Sequence, residues 1–149
     1  MATTPQDVFE IAMSIMDELS DSGEADTADT AEYKNRTVPI LNVLAGELYP
    51  YSDTYEYDED GIRPIVRVIE DFSDNIGLDD YCCRSILPYG LVAHLLLDEN
   101  PTSASYCQQR YDELKATLTR GLPQVSEDIG DVYGYNGGIY PYNEFGMWN

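Results

Sequence analysis

The sequence predicts an all-α protein: a small helical bundle of about four main helices with an irregular, aromatic and glycine-rich C-terminal tail. The strongest signal is a helical hairpin over residues 85–121, whose two halves are separated by Asn100 and Pro101. These two residues have the chemistry of a helix cap and of a first helical position, and Gly121 suits a helix end. The second half carries apolar residues at alternating spacings of three and four, the period of one helix face: Ala104, Cys107, Tyr111, Leu114 and Leu118.

The N-terminal part of the chain predicts one helix followed by a loop. Thr4 is a capping residue type, Pro5 suits the first helical position, and Asp7 is placed at the positive end of the helix dipole. The predicted inward face consists of Val8, Ile11, Ile15 and Leu19. Residues 20–30 are polar and lack large apolar side chains, so we expect a disordered, solvated loop there.

A second helix is predicted from about Ala31 to Leu48. Pro39 lies inside it and is expected to kink it or break it into two, because proline lacks a backbone donor and its ring meets the preceding turn. The predicted inward residues are Val38, Leu41, Val43, Leu44 and Leu48. Residues 49–61 then contain four tyrosines and five acids, which indicates an irregular surface excursion available to a partner.

Residues 62–72 are less clearly patterned, since their β-branched side chains fit a short strand and a helix about equally. The interpretation we favour is a helix after Pro64. Asp79 or Asp80 is expected to cap a third main helix, which Pro88 divides into a polar first turn and an apolar second half. A helix that is apolar on all sides, as over residues 91–97, belongs at the centre of a bundle.

The predicted helices supply one hydrophobic core. We expect it to contain Val8, Ile11, Ile15, Leu19, Leu41, Leu44, Leu48, Leu91, Leu95, Leu96, Cys107, Tyr111, Leu114 and Leu118. A chain of 149 residues suits one such domain, which we assign to residues 1–121.

The remainder, residues 122–149, is predicted to be an extended C-terminal arm. Residues 121–149 hold six glycines but no Lys or Arg. Such a segment cannot build its own core, so it either folds back over the bundle or is an arm ordered by another subunit. The predicted partner-binding residues are the rings of Tyr133, Tyr135, Tyr140, Tyr142, Phe145 and Trp148.

Composition narrows the function classes. Twenty-eight Asp and Glu against eight Lys and Arg give a net charge of −20, which opposes direct binding to nucleic acid or an anionic membrane. No apolar stretch reaches the ~18 residues of a membrane span, and the first residues lack the features of a secretion signal. We therefore expect a protein that stays in the cytoplasm where it is made.

Metal and cofactor sites are not predicted. A calcium-loop pattern is begun by Glu56, Asp58, Asp60 and Gly61. It then fails, because Pro64 occupies the ninth position and Arg67 stands where a bidentate carboxylate is needed. An acidic turn is the better interpretation.

Catalysis is not predicted either. His94 is the only histidine, and its apolar neighbours favour a hydrogen-bonded core or interface residue over a catalytic one. Cys82, Cys83 and Cys107 are odd in number and are expected to be buried thiols. The sequence contains no phosphate-binding glycine loop or nucleophile elbow, so an enzyme is the poorer class.

Two stretches of the hairpin, LPYGLVAHLLLDENP and YCQQRYDEL, carry a family resemblance. They resemble the small helical head-to-tail connector, or adaptor, proteins of tailed bacteriophages and prophages. The likeness is clearest over residues 79–121. It does not extend to the acidic excursion at residues 49–61 or to the aromatic tail.

The resemblance implies a structural virion protein without catalytic residues. Such a protein assembles as a ring under the portal, contacts portal and tail-completion proteins, and joins capsid to tail at the virion neck. DNA passes through the ring without sequence-specific binding, and negative charge facing the channel would keep DNA from adhering. The alternative is an acidic DNA mimic that inhibits a nucleic-acid-binding partner, because a charge of −20 on a small domain could imitate phosphates.

Overall fold

The computed structural model describes residues 2–56 and 66–121, and within these ranges it contains helices and no strand. Its α-helices are α1 (Pro5–Met16), α2 (Ala31–Leu48), α3 (Leu87–Leu95) and α4 (Pro101–Gly121). A 3-10 turn, Tyr49–Tyr51, follows α2, and a π-helical turn, Cys82–Ile86, leads directly into α3. The predicted all-α bundle of about four main helices is confirmed.

Helix α3 lies at the centre of the bundle and packs against each of the other three helices. Leu91, Val92 and Leu95 are fully buried, as expected of a helix that is apolar on every side. Each such side chain contributes about 1.5–3 kcal/mol through the surface it removes from water. The apolar stretch of residues 91–97 continues past the end of the helix, however. Helix α3 ends at Leu95, and Leu97 is 61% exposed.

Helix α1 begins at the predicted cap. The Thr4 hydroxyl accepts the backbone N–H of Asp7, and the Asp7 carboxylate accepts the backbone N–H of Thr4 at 2.8 Å, which completes a capping box. The helix ends at Met16 because Asp17 adopts a left-handed conformation with φ of 61°.

The buried face of α1 is rotated from the predicted one. The fully or nearly fully covered residues are Pro5, Val8, Phe9, Ala12 and Met13, which recur at helical spacing. Ile11 and Ile15 lie at the edge of this face and are only partly buried, and Leu19 lies beyond the helix with 39% exposure. The predicted core position of Leu19 is therefore wrong, because the helix stops before it.

The polar connection between α1 and α2 is held by hydrogen bonds. The buried Thr30 hydroxyl donates to the carbonyl oxygen of Ala25 at 2.6 Å, and Ser20 accepts the backbone N–H of Glu24 through its hydroxyl at 2.9 Å. Lys34 pairs with Asp26 from the start of α2. The predicted disorder of residues 20–30 is wrong, because small polar side chains satisfy the backbone of the turn locally.

Helix α2 runs through Pro39 without a break, contrary to one of the two predicted outcomes. The proline ring lies on the exposed side, where water can satisfy the carbonyl group left without its helical donor. Leu41 and Leu44 face the core as predicted, whereas Val43 is 67% exposed. The predicted inward position of Val43 is wrong, because a residue two positions from Leu41 points to the opposite side of the helix.

The chain from 66 to 78 crosses the bundle without helical structure, so the helix favoured after Pro64 is wrong for its described part, 66–72. Residues 62–65 lie outside the described ranges. The Asn42 side chain replaces a backbone partner: its amide donates to the carbonyl of Ile69 at 2.9 Å, and its oxygen accepts the Ile69 N–H at 2.8 Å. Ile69 and Ile76 are thereby inserted into the core.

Asp79 begins the helical segment that leads to α3. One carboxylate oxygen accepts the Cys82 backbone N–H at 2.9 Å, and the other accepts the Ser52 hydroxyl at 2.9 Å. The π-helical turn that follows widens the helix just before Pro88, where a regular α-helix would bring the proline ring against the carbonyl four residues earlier. Of the two predicted capping residues, Asp79 is therefore the one that caps.

Replacing Asp79 by Ala is expected to lower the free energy of unfolding by about 0.5–2 kcal/mol through loss of the cap. Burial opposes ionisation of this carboxyl group, but the hydrogen bonds from Cys82 and Ser52 outweigh it and lower the pKa of Asp79. Because the folded-state pKa is depressed, the stabilising charge is fully present above the ordinary value of 3.8 and is lost as the pH falls through the folded-state value.

Asp79→Asn serves as the matched variant, since asparagine caps helices as well as aspartate but carries no charge. Urea denaturation at neutral pH and at pH ~3 compares the variants on both sides of the ordinary carboxyl pKa. The stability advantage of the native chain over Asp79→Asn should shrink in acid. An advantage that grows in acid would contradict the assigned charge.

The hairpin between α3 and α4 follows the predicted capping chemistry. Asn100 accepts the backbone N–H of Ser103 through its side-chain oxygen at 3.1 Å, and Pro101 is the first residue of α4. Cys107 and Tyr111 are buried as predicted. Three further predicted core residues, Leu96, Leu114 and Leu118, pack against the core while remaining partly exposed.

Candidate protein-binding surfaces

Within residues 2–56 and 66–121, few of the acidic side chains are paired with a cation. The described residues form three salt bridges, Lys34 with Asp26, Lys115 with Glu47, and Arg110 with Glu113. The partners of all three retain exposure, so each pair contributes at most about 1 kcal/mol. The negative charge of the described residues is therefore mainly a property of the surface and its interactions, not of the core.

His94 and the calcium-loop pattern are the two places where the sequence raises the question of a chemical site. His94 is exposed on α3, so the core alternative of its prediction is wrong and the interface alternative stays a prediction; its backbone carbonyl accepts a hydrogen bond from Arg36 at 3.1 Å. The described part of the calcium-loop pattern, Glu56 and Arg67, is exposed. Asp58, Asp60, Gly61 and Pro64 lie outside the described ranges. Among the described residues, no group of three or more His, Cys, Asp or Glu side chains could hold a metal ion.

The three cysteines are free and buried, as predicted. Burial raises the pKa of the Cys83 thiol to about 12, and burial followed by the nearby Asp79 charge raises the pKa of Cys82. Burial alone raises the pKa of Cys107. Since the thiolate is the reactive form, we expect these thiols to react slowly with electrophiles in the folded protein.

We expect alkylation of the folded protein by iodoacetamide at pH ~8 to be at least about a hundredfold slower than alkylation in guanidinium chloride, where all three thiols are released. Mass spectrometry of the quenched reaction counts the labelled thiols. Rapid labelling of any cysteine under native conditions would contradict its burial.

A groove of about 730 Å³ lies between the end of α3 and the outer side of α4. We call it the histidine groove and define it by Ala93, His94, Leu97, Ala104, Gln108 and Ala116. Its lining is largely apolar or uncharged, with Asp112 and Glu113 also contributing. Leu97, exposed at 61%, offers a large apolar side chain to a protein partner at this position.

A second groove, of about 420 Å³, lies where α1, the π-helical turn and α4 meet. We call it the arginine groove and define it by Ile11, Ile15, Arg84, Pro88, Arg110 and Leu114. Tyr81 and Tyr89 also line it. It combines an apolar floor with two cationic side chains, an arrangement that suits an acidic, aromatic peptide segment.

Sequence reasoning missed both grooves, although it named several of their residues. Ile11, Ile15 and Leu114 were predicted as core because of their helical spacing, which does not distinguish a covered face from the floor of a surface groove. The predicted partner-binding rings Tyr133, Tyr135, Tyr140, Tyr142, Phe145 and Trp148 lie outside the described residues. So does the whole proposed arm, 122–149.

Comparison of the chain with protein-family models, curated proteins and solved structures gives no match. Within residues 2–56 and 66–121, no helix is both long enough and apolar enough to cross a membrane.

Proposed function

We propose that this protein is a structural virion component, a head-to-tail connector that assembles as a ring under the portal and joins capsid to tail. It acts through contacts with its own copies and with portal and tail-completion proteins, not through catalysis. It is made in the host cytoplasm and ends at the virion neck.

The observation that carries this proposal is the histidine groove on a protein of net charge −20. Copies of so acidic a chain repel one another unless the contacting surfaces carry few charges. The exposed Leu97 supplies apolar surface beside the largely buried Ala93 and Ala104, the amide of Gln108 can hydrogen-bond at its edge, and Asp112 and Glu113 are the acids that line it. The remaining acids can then face a channel, where negative charge keeps DNA from adhering.

The resemblance supports the same proposal and has a physical basis in the hairpin. Its two stretches belong to facing helices, α3 and α4, which pack against each other. Gly90 of the first stretch lies against the Tyr111 ring of the second. The residues that carry the resemblance therefore include the contact that sets the spacing of the two helices lining the histidine groove.

The test is deletion of the gene in the phage or prophage that encodes it. Electron microscopy of the lysate should show heads and tails that accumulate separately, and expression of the native chain from a plasmid should restore joined particles. A portal gene and a capsid gene directly upstream would agree with this role. Normally joined particles in the deletion strain would refute it.

A pair of variants tests whether the histidine groove is the contact surface. Leu97→Glu places a charge in the groove and is expected to reduce joining at least tenfold in the plasmid assay, the effect of one desolvated charge at an interface. Val43→Glu is the matched control, because Val43 is equally exposed but lines neither groove. Equal activity of the two variants would remove the groove from the proposal.

A purified monomer that competes with DNA for a nucleic-acid-binding protein would favour the DNA-mimic alternative.

A further inference from the structure

The floor of the arginine groove is built from side chains that normally belong in a core. Ile15 and Leu114 pack against the buried cluster on one side and stay partly exposed on the other, and the partly buried Ile11 lines the groove beside them. Covering them would remove further apolar surface from water, which is favourable. The groove is thus a surface on which an apolar segment would be stabilised.

The charges at this groove narrow the chemistry of its occupant. Among the described residues Arg84 forms no salt bridge and donates one long hydrogen bond, 3.4 Å, to the Thr3 hydroxyl, and its charge also acts on the Asp7 carboxylate. Arg110 pairs with Glu113, but its side chain remains 45% exposed. Two available guanidinium groups beside an apolar floor favour a segment with aromatic rings and carboxylates.

The chain itself contains such a segment. Residues 132–143 carry no charged side chain but include four tyrosines, and they are bracketed by Asp131 and Glu144. No Lys or Arg follows Gly121, so nothing in this segment would repel the groove arginines. Its rings suit the apolar floor and its two bracketing acids suit Arg84 and Arg110.

The intervening chain is long enough to reach a second copy, and the self-association in the proposed function selects that copy over the chain's own groove. Arg110 and Leu114 lie eleven and seven residues before Gly121 on α4, so the chain's own groove is about 10–17 Å from the helix end. The twelve residues from Gly121 to Tyr133 can span up to about 40 Å. Two touching domains of this size have centres about 35 Å apart, which is within the reach of this spacer.

We propose that residues 131–148 of one copy bind in the arginine groove of a second copy and so link neighbouring subunits. This inference rests on the proposed function only in its use of self-association. It names the segment and the groove that form the link.

Cysteine cross-linking in the full-length protein tests the assignment, because the three native thiols are buried. Chains carrying Ser85→Cys in the groove are mixed with tagged chains carrying Asn143→Cys in the segment, and a short bismaleimide is added. A covalent heterodimer is expected. Failure to form one would overturn the proposal, as would a purely intrachain cross-link in the double variant, which would mean that the segment folds onto its own groove.

Charge exchange tests the role of the arginines in the same assay. Arg84→Glu together with Arg110→Glu should reduce the heterodimer about tenfold, and Asp131→Arg together with Glu144→Arg on the other chain should restore it. Arg120→Glu is the matched control, since Arg120 is exposed on α4 outside the groove. If the arginine variants abolish the heterodimer and the charge-reversed segment does not restore it, the assigned pairing of Arg84 and Arg110 with Asp131 and Glu144 is overturned.

The two proposals can fail separately. If heads and tails require the protein but no heterodimer forms, the connector function stands and the groove assignment falls. If the heterodimer forms but particles join without the protein, the linkage stands and the connector function falls.

Discussion

Replacing Leu95 by Ala is expected to lower the free energy of unfolding by about 2–5 kcal/mol. Leu95 is fully buried at the end of the central helix α3, so the truncated side chain would leave a cavity that surrounding helices can fill only in part. Since small domains are stable by only about 5–15 kcal/mol, this loss should be readily visible in urea denaturation.

Alanine substitutions at Leu114 and Leu97 serve as comparisons for Leu95→Ala. Leu114→Ala should cost less than Leu95→Ala, because Leu114 already lies partly exposed in the arginine groove. Leu97→Ala should be nearly neutral, because Leu97 is 61% exposed. Equal losses at Leu95 and Leu97 would contradict the position at which α3 leaves the core.

The N-terminal caps of α1 and α4 were the most predictable part of this fold, since their chemistry is local. Thr4 and Asn100 bind the backbone N–H groups that any helix of this sequence would leave free. The π-helical turn before Pro88 was not predictable, because it depends on how α3 is held by the other helices. Likewise, nothing near Asn42 in the sequence indicates that its side chain pairs with the backbone of Ile69.

Surface sites were less predictable than the core, because periodicity reports that a residue is apolar and not what covers it. Ile11 was placed in the core by its spacing, yet it forms part of a groove floor. His94 was placed among apolar neighbours along the chain, yet the end of α3 turns it outward. The histidine groove arises where α4 packs beside α3, and the arginine groove where α1 and α4 lie on either side of the π-helical turn, a geometry that no single segment encodes.

Gly90→Ala is expected to be destabilising although alanine is the better helix former. A Cβ atom at Gly90 would lie 2.9 Å from Cδ2 of the Tyr111 ring and 3.0 Å from Cδ1 of Leu44. Tyr111 is 2% exposed, so its ring has no free space into which to move. Overpacking of this kind costs about 1–3 kcal/mol. That cost exceeds the ~1 kcal/mol that replacing glycine by alanine gains in helix propensity.

Gly46→Ala is the matched control for this contact, because Gly46 is also helical and a Cβ atom there would meet nothing within 4 Å. That variant should gain stability, and the propensity change is common to both substitutions. The difference between their free energies of unfolding therefore isolates the Gly90–Tyr111 contact and is expected to be about 1–3 kcal/mol in urea denaturation. Equal stability of the two variants would show that α3 and α4 can separate freely, and the hairpin contact would then not set their spacing.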